Sequence, residues 1–196
     1  MPNSKPFPSN PSSWHVAVAA EAIAAGQFAR CGFDVSVQYG ADQPEYDLIV
    51  AQGENMLKVS VKGSQDLGWG LTQSYMRKAT EISGKRADYQ GAIDLWLKRH
   101  DSWTVFCLVQ FGNVPIDQMP RIYLATAKEV AATLRATKGG RGDSVLNEDH
   151  TLKRGRYTGT TEKLPASWKI SKDRIQELLA DRDAGLSVGP RVRNLN

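Results

Sequence analysis

The chain is poor in cysteine and histidine. Only Cys31 and Cys107 are present among 196 residues. Two thiols in apolar stretches cannot build a disulfide framework or a cysteine-rich zinc site. They read as small buried residues in a reducing, cytoplasmic setting. The three histidines, His15, His100 and His150, lie far apart without ligand spacing, which argues against zinc. Long apolar runs are also missing. The longest, 15–25, is interrupted by Glu21, is too short for a bilayer and has no basic leader directly before it. No internal repeat and no low-complexity linker is found. Residues 139–142 are glycine-rich but lack the Lys-Ser/Thr ending of a phosphate-binding loop. Neither sign of charge dominates. Lys plus Arg is 25 and Asp plus Glu is 21, leaving +4, which suits a polyanionic partner without requiring one.

What is present fits an ordinary globule: 41% hydrophobic and 23% charged residues. The length suits one domain, expected over 1–184. Residues 1–11 hold four prolines and read as an extended lead-in; 185–196 read as a loose tail. Ser12 or Ser13 can cap a helix running to about Arg30, with Gly32 as its stop. Trp14, Val18, Glu21, Ala25 and Phe28 recur at helical spacing, placing one carboxylate in an apolar stripe. Residues 33–39 alternate as a half-buried strand. A short strand at 46–51 and another at 56–62 flank a turn containing Gly53. In the second of these, Leu57, Val59 and Val61 share one face, and Lys58, Ser60 and Lys62 the other. A loop at 63–70 and a helix at 71–83 follow. Residues 92–97 and 103–111 read as two strands, and 121–125 as a third. Thr126 and Glu129 form a capping box for a helix at 127–137. A polar, glycine-rich stretch at 138–157 precedes a final helix at about 172–182, capped by Ser171. The order helix, strand, strand, strand signals an α/β or α+β fold.

Four positions carry the chemistry: Glu21, Asp47, Ser60 and Lys62. Asp47 opens one hairpin strand and Lys62 ends the next, so both can reach the same end of the hairpin. Ser60 shares the face of Lys62, and Glu21 can point at that end from the helix. Carboxylates suit Mg²⁺, which prefers oxygen ligands. A bound metal neutralises phosphate charge and helps generate hydroxide. A lysine beside it can orient water or stabilise developing negative charge. Taken singly, each residue has a plainer reading: Glu21 as a helix carboxylate paired with Arg30 or Lys62, Asp47 and Lys62 as ordinary strand ends.

The series Glu21, then 46–50 (Tyr-Asp-Leu-Ile-Val), then 58–62 (Lys-Val-Ser-Val-Lys) resembles the PD-(D/E)XK nuclease superfamily, in its small restriction-endonuclease-like and Holliday-junction-resolvase-like branch. The family pattern is a helix glutamate, an aspartate opening one strand, and Glu or Gln, any residue, then Lys ending the next. The resemblance is carried by 13–62. It implies an αβββαβ core with a mixed central sheet flanked by helices, here with a C-terminal elaboration. It also implies a Mg²⁺- or Mn²⁺-dependent endonuclease with duplex or branched DNA as substrate, and a homodimer as one arrangement. Glu21 and Asp47 would hold the metal and Lys62 would assist the water. Ser60 departs from the pattern, since a hydroxyl is a weak metal ligand beside a carboxylate. Three readings stay open: the two carboxylates suffice, a displaced Gln65, Asp66 or Glu81 enters the site, or cleavage is lost and binding retained.

Further candidates lie outside the motif. Gln65, Trp69 and Gln73 follow the lysine strand. The tryptophan can stack on an unpaired base and the amides can touch phosphates; the plain alternative is a loop closed by a packed tryptophan. Lys153, Arg154 and Arg156 form a basic cluster able to grip a phosphate backbone, or simply a solvated loop. A non-catalytic DNA- or protein-binding module on the same fold is the competing expectation, and an unrelated α+β module is the third.

Overall fold

In the computed structural model, residues 11–38, 45–100, 104–153 and 155–186 are described, the last six by backbone alone. Proline-rich 1–10, Tyr39, Trp103, Arg154 and the tail from 187 lie outside the described residues. The first helix, α1 (Ser13–Arg30), starts where Ser12 accepts the His15 N–H, and it ends at Cys31 before Gly32, whose φ is +87°. Strands β1 (Asp34–Val37), β2 (Leu48–Gln52) and β3 (Asn55–Ser64) follow as two antiparallel pairs. The β2–β3 turn contains Gly53 at a φ of +62°. A short strand β4 (Gly68–Gly70) leads through a turn of 3₁₀ helix into α2 (Met76–Ser83) and α3 (Tyr89–Arg99). Strand β5 (Thr104–Gln110) then pairs with β3 in parallel, and β6 (Arg121–Thr126) pairs antiparallel with β5. Helix α4 (Ala127–Gly140) is followed by β7 (Val145–Asn147), β8 (Asp149–Thr151), β9 (Thr161–Lys163) and α5 (Lys172–Leu186).

The central sheet is therefore mixed, in the order β1-β2-β3-β5-β6. Strand β5 is buried along its whole length, as expected for a strand covered on both faces. One face packs on α1 and α5 through Leu57, Val59, Val61, Val105 and Cys107. The other packs on α3 and α4 through Phe106, Leu108, Ile93, Trp96, Val130 and Leu134. This is the αβββαβ order expected from the sequence, with helices on both sides. The apolar face of β3 is as expected, with Leu57, Val59 and Val61 buried; on the other face Lys58 and Lys62 are exposed but Ser60 is buried. No helix among the described residues is long and apolar enough to cross a membrane.

Three expectations are corrected. The buried stripe of α1 is Val16, Ala20, Ala24 and Phe28, whereas Trp14 and Val18 are 68% and 46% exposed. The small side chains win because this helix presses close to the sheet. A Cβ on Gly63 of β3 would sit 2.8 Å from the Val16 carbonyl and 2.9 Å from the Ala20 methyl. Residues 92–97 are helical, not a strand. Asp88 caps α3 by accepting the Gly91 N–H at 3.0 Å, and Ala92, Ile93 and Trp96 then fall on its buried side. Finally, the expected loops at 63–70 and 138–157 each contain strand, and β4 pairs with β7.

Candidate active site

Asp47 stands one residue ahead of β2 and prolongs its pairing with β3. Its N–H donates to the Val59 carbonyl at 2.8 Å. Its Oδ2 accepts the Val61 N–H at 2.6 Å, so a side chain takes the place of the next backbone acceptor and ends the ladder there. This bond fixes the carboxylate on the strand that carries Ser60 and Lys62. The register sets Leu48 opposite Val59. Asp47 breaks that register, since its N–H bonds to the same Val59 while its carboxylate reaches on to Val61. Ser60 is 3% exposed and pairs across with Phe106 of β5. Lys62 is exposed at the mouth.

Glu21 approaches from the α1 side. Burial pushes its carboxyl above the ordinary glutamate range; the charge of Asp47 pushes the same way and that of Lys62 opposes it. The three groups expected from the sequence therefore share one electrostatic neighbourhood. The Gly63 contact makes this geometry available, because it lets α1 lie against the end of β3. The plainer pairing with Arg30 is not made; that guanidinium donates to Gln27 at 3.3 Å.

The surrounding elements shape the mouth. Trp69 is 3% exposed and its indole N–H donates to the Lys62 carbonyl at 2.9 Å. Its ring meets Tyr123 edge-on, with centroids 6.4 Å apart. Stacking on a base is thus corrected to a packing role, since the ring is spent inside the protein and pins the lysine strand from behind. A cleft of about 290 Å³ opens beside it, lined by Ser13, Lys62, Gly63, Gln65 and Asp66. Gln65 is exposed there and donates to the Pro11 carbonyl at 3.3 Å. Gln73 is exposed and folds over Gly70, where an added Cβ would meet its Oε1 at 2.4 Å. Of the side chains considered as replacements for the missing carboxylate, Asp66 accepts the Ser64 hydroxyl at 2.9 Å and Glu81 lies exposed beside Arg77.

Sequence reasoning missed His100. It caps the end of α3, with its ring 4.6 Å from Trp96 and 5.0 Å from Phe106, the strand partner of Ser60. Burial holds the imidazole below its ordinary range; Glu45 opposes this, while Lys62 and Arg99 add to it. Nearby, Arg99 Nε donates to Glu45 at 2.7 Å and ties the approach to β2 to the end of α3. Only the helical reading of 89–99 could have placed His100 here.

Among the described residues no group of three or more His, Cys, Asp and Glu is arranged to hold a metal ion. Two carboxylates are nonetheless a fitting donor set for Mg²⁺, which keeps several waters and takes one or two carboxylates together with substrate phosphates. The raised Glu21 carboxyl points the same way, because a cation between it and Asp47 would relieve their repulsion. The basic residues Lys153 and Arg156 lie elsewhere, in a pocket with Lys138 and Arg141; Arg154 is outside the described residues.

No protein-family model matches the chain, and no curated protein matches it. Among solved structures, a bacterial homing endonuclease superposes with a TM-score of 0.48 at 14% identity, over 89% of this chain and 97% of that one.

Proposed function

We propose that the chain is a Mg²⁺- or Mn²⁺-dependent endonuclease of the PD-(D/E)XK type, hydrolysing phosphodiester bonds in duplex or branched DNA. The observation that supports this reading is the Asp47 carboxylate fixed on the lysine strand by the Val61 N–H at 2.6 Å, with Glu21 of α1 within the field of Asp47 and Lys62. Glu21 and Asp47 would hold the ion, with one Asp47 oxygen committed to the Val61 N–H. When bound, the ion would supply charge neutralisation and a more acidic water. Lys62 carries three donors and no acceptor, so its task is to bind phosphate oxygens and steady the negative charge that grows as water adds to phosphorus and the leaving oxygen departs. His100 closes the end of α3, with its ring packed against Trp96 and Phe106. The test is nicking of supercoiled plasmid with Mg²⁺ or Mn²⁺, in wild type, Asp47→Ala and Lys62→Ala. Metal-dependent nicking that both substitutions lower by at least a hundredfold is expected. A reproducible activity that neither changes would refute the site.

A second reading rests on Ser60. Its burial at 3% exposure, with a hydroxyl where the family pattern has Glu or Gln, favours a nuclease fold that binds DNA without cutting it. Salt-sensitive DNA binding with no cleavage in either metal would select it.

A further inference from the structure

The four basic residues Lys138, Arg141, Lys153 and Arg156 come from two separate segments, yet they line one pocket of about 450 Å³ with His150 and Tyr157. The chain builds this pocket deliberately. At the end of α4, Lys138 and Gly139 both take left-handed backbone, with φ of 49° and 64°. Tyr157 lies on Gly139 so closely that a Cβ there would come within 2.4 Å of its ring, so the 155–157 turn closes on α4 only over a glycine. Lys138 is held by an ion pair with Asp143, and its N–H donates to Glu162 at 2.7 Å. Arg141 lies over the Tyr89 ring at 5.2 Å. Lys153 and Arg156 are exposed at the rim. After the Asp143 pair is counted, Arg141, Lys153 and Arg156 still give the pocket a positive excess, and guanidinium groups match phosphate oxygens in pairs.

We propose that this pocket grips a sugar-phosphate backbone group of the bound nucleic acid, at a distance from the cleavage site. The proposal rests on the endonuclease reading and extends it. The distance follows from α3, which has Tyr89 beside Arg141 at one end and, at the other, His100 packed on Phe106, the strand partner of Ser60. Eleven residues of helical rise separate these ends by about 16 Å. Along one strand of a duplex that is about five base-pair rises. The pocket is thus an anchor for flanking DNA, and it carries no sequence readout.

Binding of a labelled duplex of twenty base pairs to the full chain, followed by fluorescence anisotropy from 50 to 200 mM KCl without divalent metal, tests it. Removing two phosphate contacts lowers the slope of log K against log salt by about 1.8. Wild type should therefore lose about twelve times more affinity over this range than Lys153→Gln/Arg156→Gln. Lys128→Gln/Lys172→Gln, which removes the same charge from exposed sites elsewhere, should keep most of the wild-type slope. An unchanged slope in the pocket variant, or an equal fall in the control, overturns the pocket while leaving the catalytic reading standing. Failure of the wild type to bind DNA at 50 mM salt sinks the endonuclease reading and the pocket with it.

Discussion

Replacing Gly63 by alanine tests whether the approach of α1 to β3 is what assembles the site. The new Cβ would lie 2.8 Å from the Val16 carbonyl, 2.9 Å from the Ala20 methyl and 2.9 Å from Val16 Cγ1, while ordinary contact begins at 3.4 Å. One of these neighbours is helix backbone, so no rotamer change removes the clash. The helix must withdraw by about 0.6 Å, and overpacking of this kind costs about 1–3 kcal/mol. Removing a strand glycine returns about 0.5–1 kcal/mol of unfolded-state entropy. The crowding wins, and the net loss is about 1–2 kcal/mol, or a fall of roughly 2–8 °C in Tm for a chain of this length. Glu21 moves with the helix. Since a 1 Å misplacement costs about a hundredfold in rate, a 0.6 Å withdrawal should cost roughly tenfold in nicking. Thermal unfolding and plasmid nicking read the two effects on the same sample. A variant as stable as wild type that nicks at the wild-type rate would refute this packing account.

Two further outcomes follow from the site's electrostatics. The Glu21 carboxyl is raised in the fold, by burial first and Asp47 second, so its charge opposes folding once pH rises through its folded pKa. Glu21→Gln should raise Tm at pH 8 in EDTA, with the gain fading on acidification below the ordinary glutamate range, while nicking is lost; a variant less stable than wild type at pH 8 contradicts this. Ser60 is 3% exposed and directly precedes Val61, whose N–H Asp47 accepts, and Ser60→Glu should tighten Mn²⁺ binding while lowering metal-free stability by roughly 2–4 kcal/mol. Calorimetry showing no gain in Mn²⁺ affinity would count against Ser60 as the vacated ligand position.

The fold and the site were legible to different depths. The cap at Ser12, the stop at Gly32 and the buried series Leu57, Val59 and Val61 are local signals that appear in the structure, although Ser60, expected with the lysines, is buried as well. Asp47 and Lys62 were readable because a hairpin needs only a turn and a period of two to bring its ends together. The face of α1 was not. Apolar size pointed to Trp14 and Val18, but packing against Gly63 selects the smallest residues, and a glycine's partner lies forty-odd positions away. Helix α3 was hidden because 92–97 is a short apolar run, which periodicity alone cannot assign; its Asp88 cap was the overlooked signal. His100 disappeared with it. Trp69 was ambiguous by composition, since only the Lys62 carbonyl decides whether its indole faces in or out. The joining of 138–141 with 153–156 depends on left-handed backbone at Lys138 and Gly139, a long-range closure that no local pattern encodes.

Metal titration tests the shared Glu21–Asp47 site most directly. Isothermal calorimetry of the full chain with MnCl₂ should give one saturable site, weakened at least tenfold by Asp47→Ala and by Glu21→Ala, with little change in Lys62→Ala. Heats no larger than dilution in the wild type, or equal affinity in all four proteins, would contradict it.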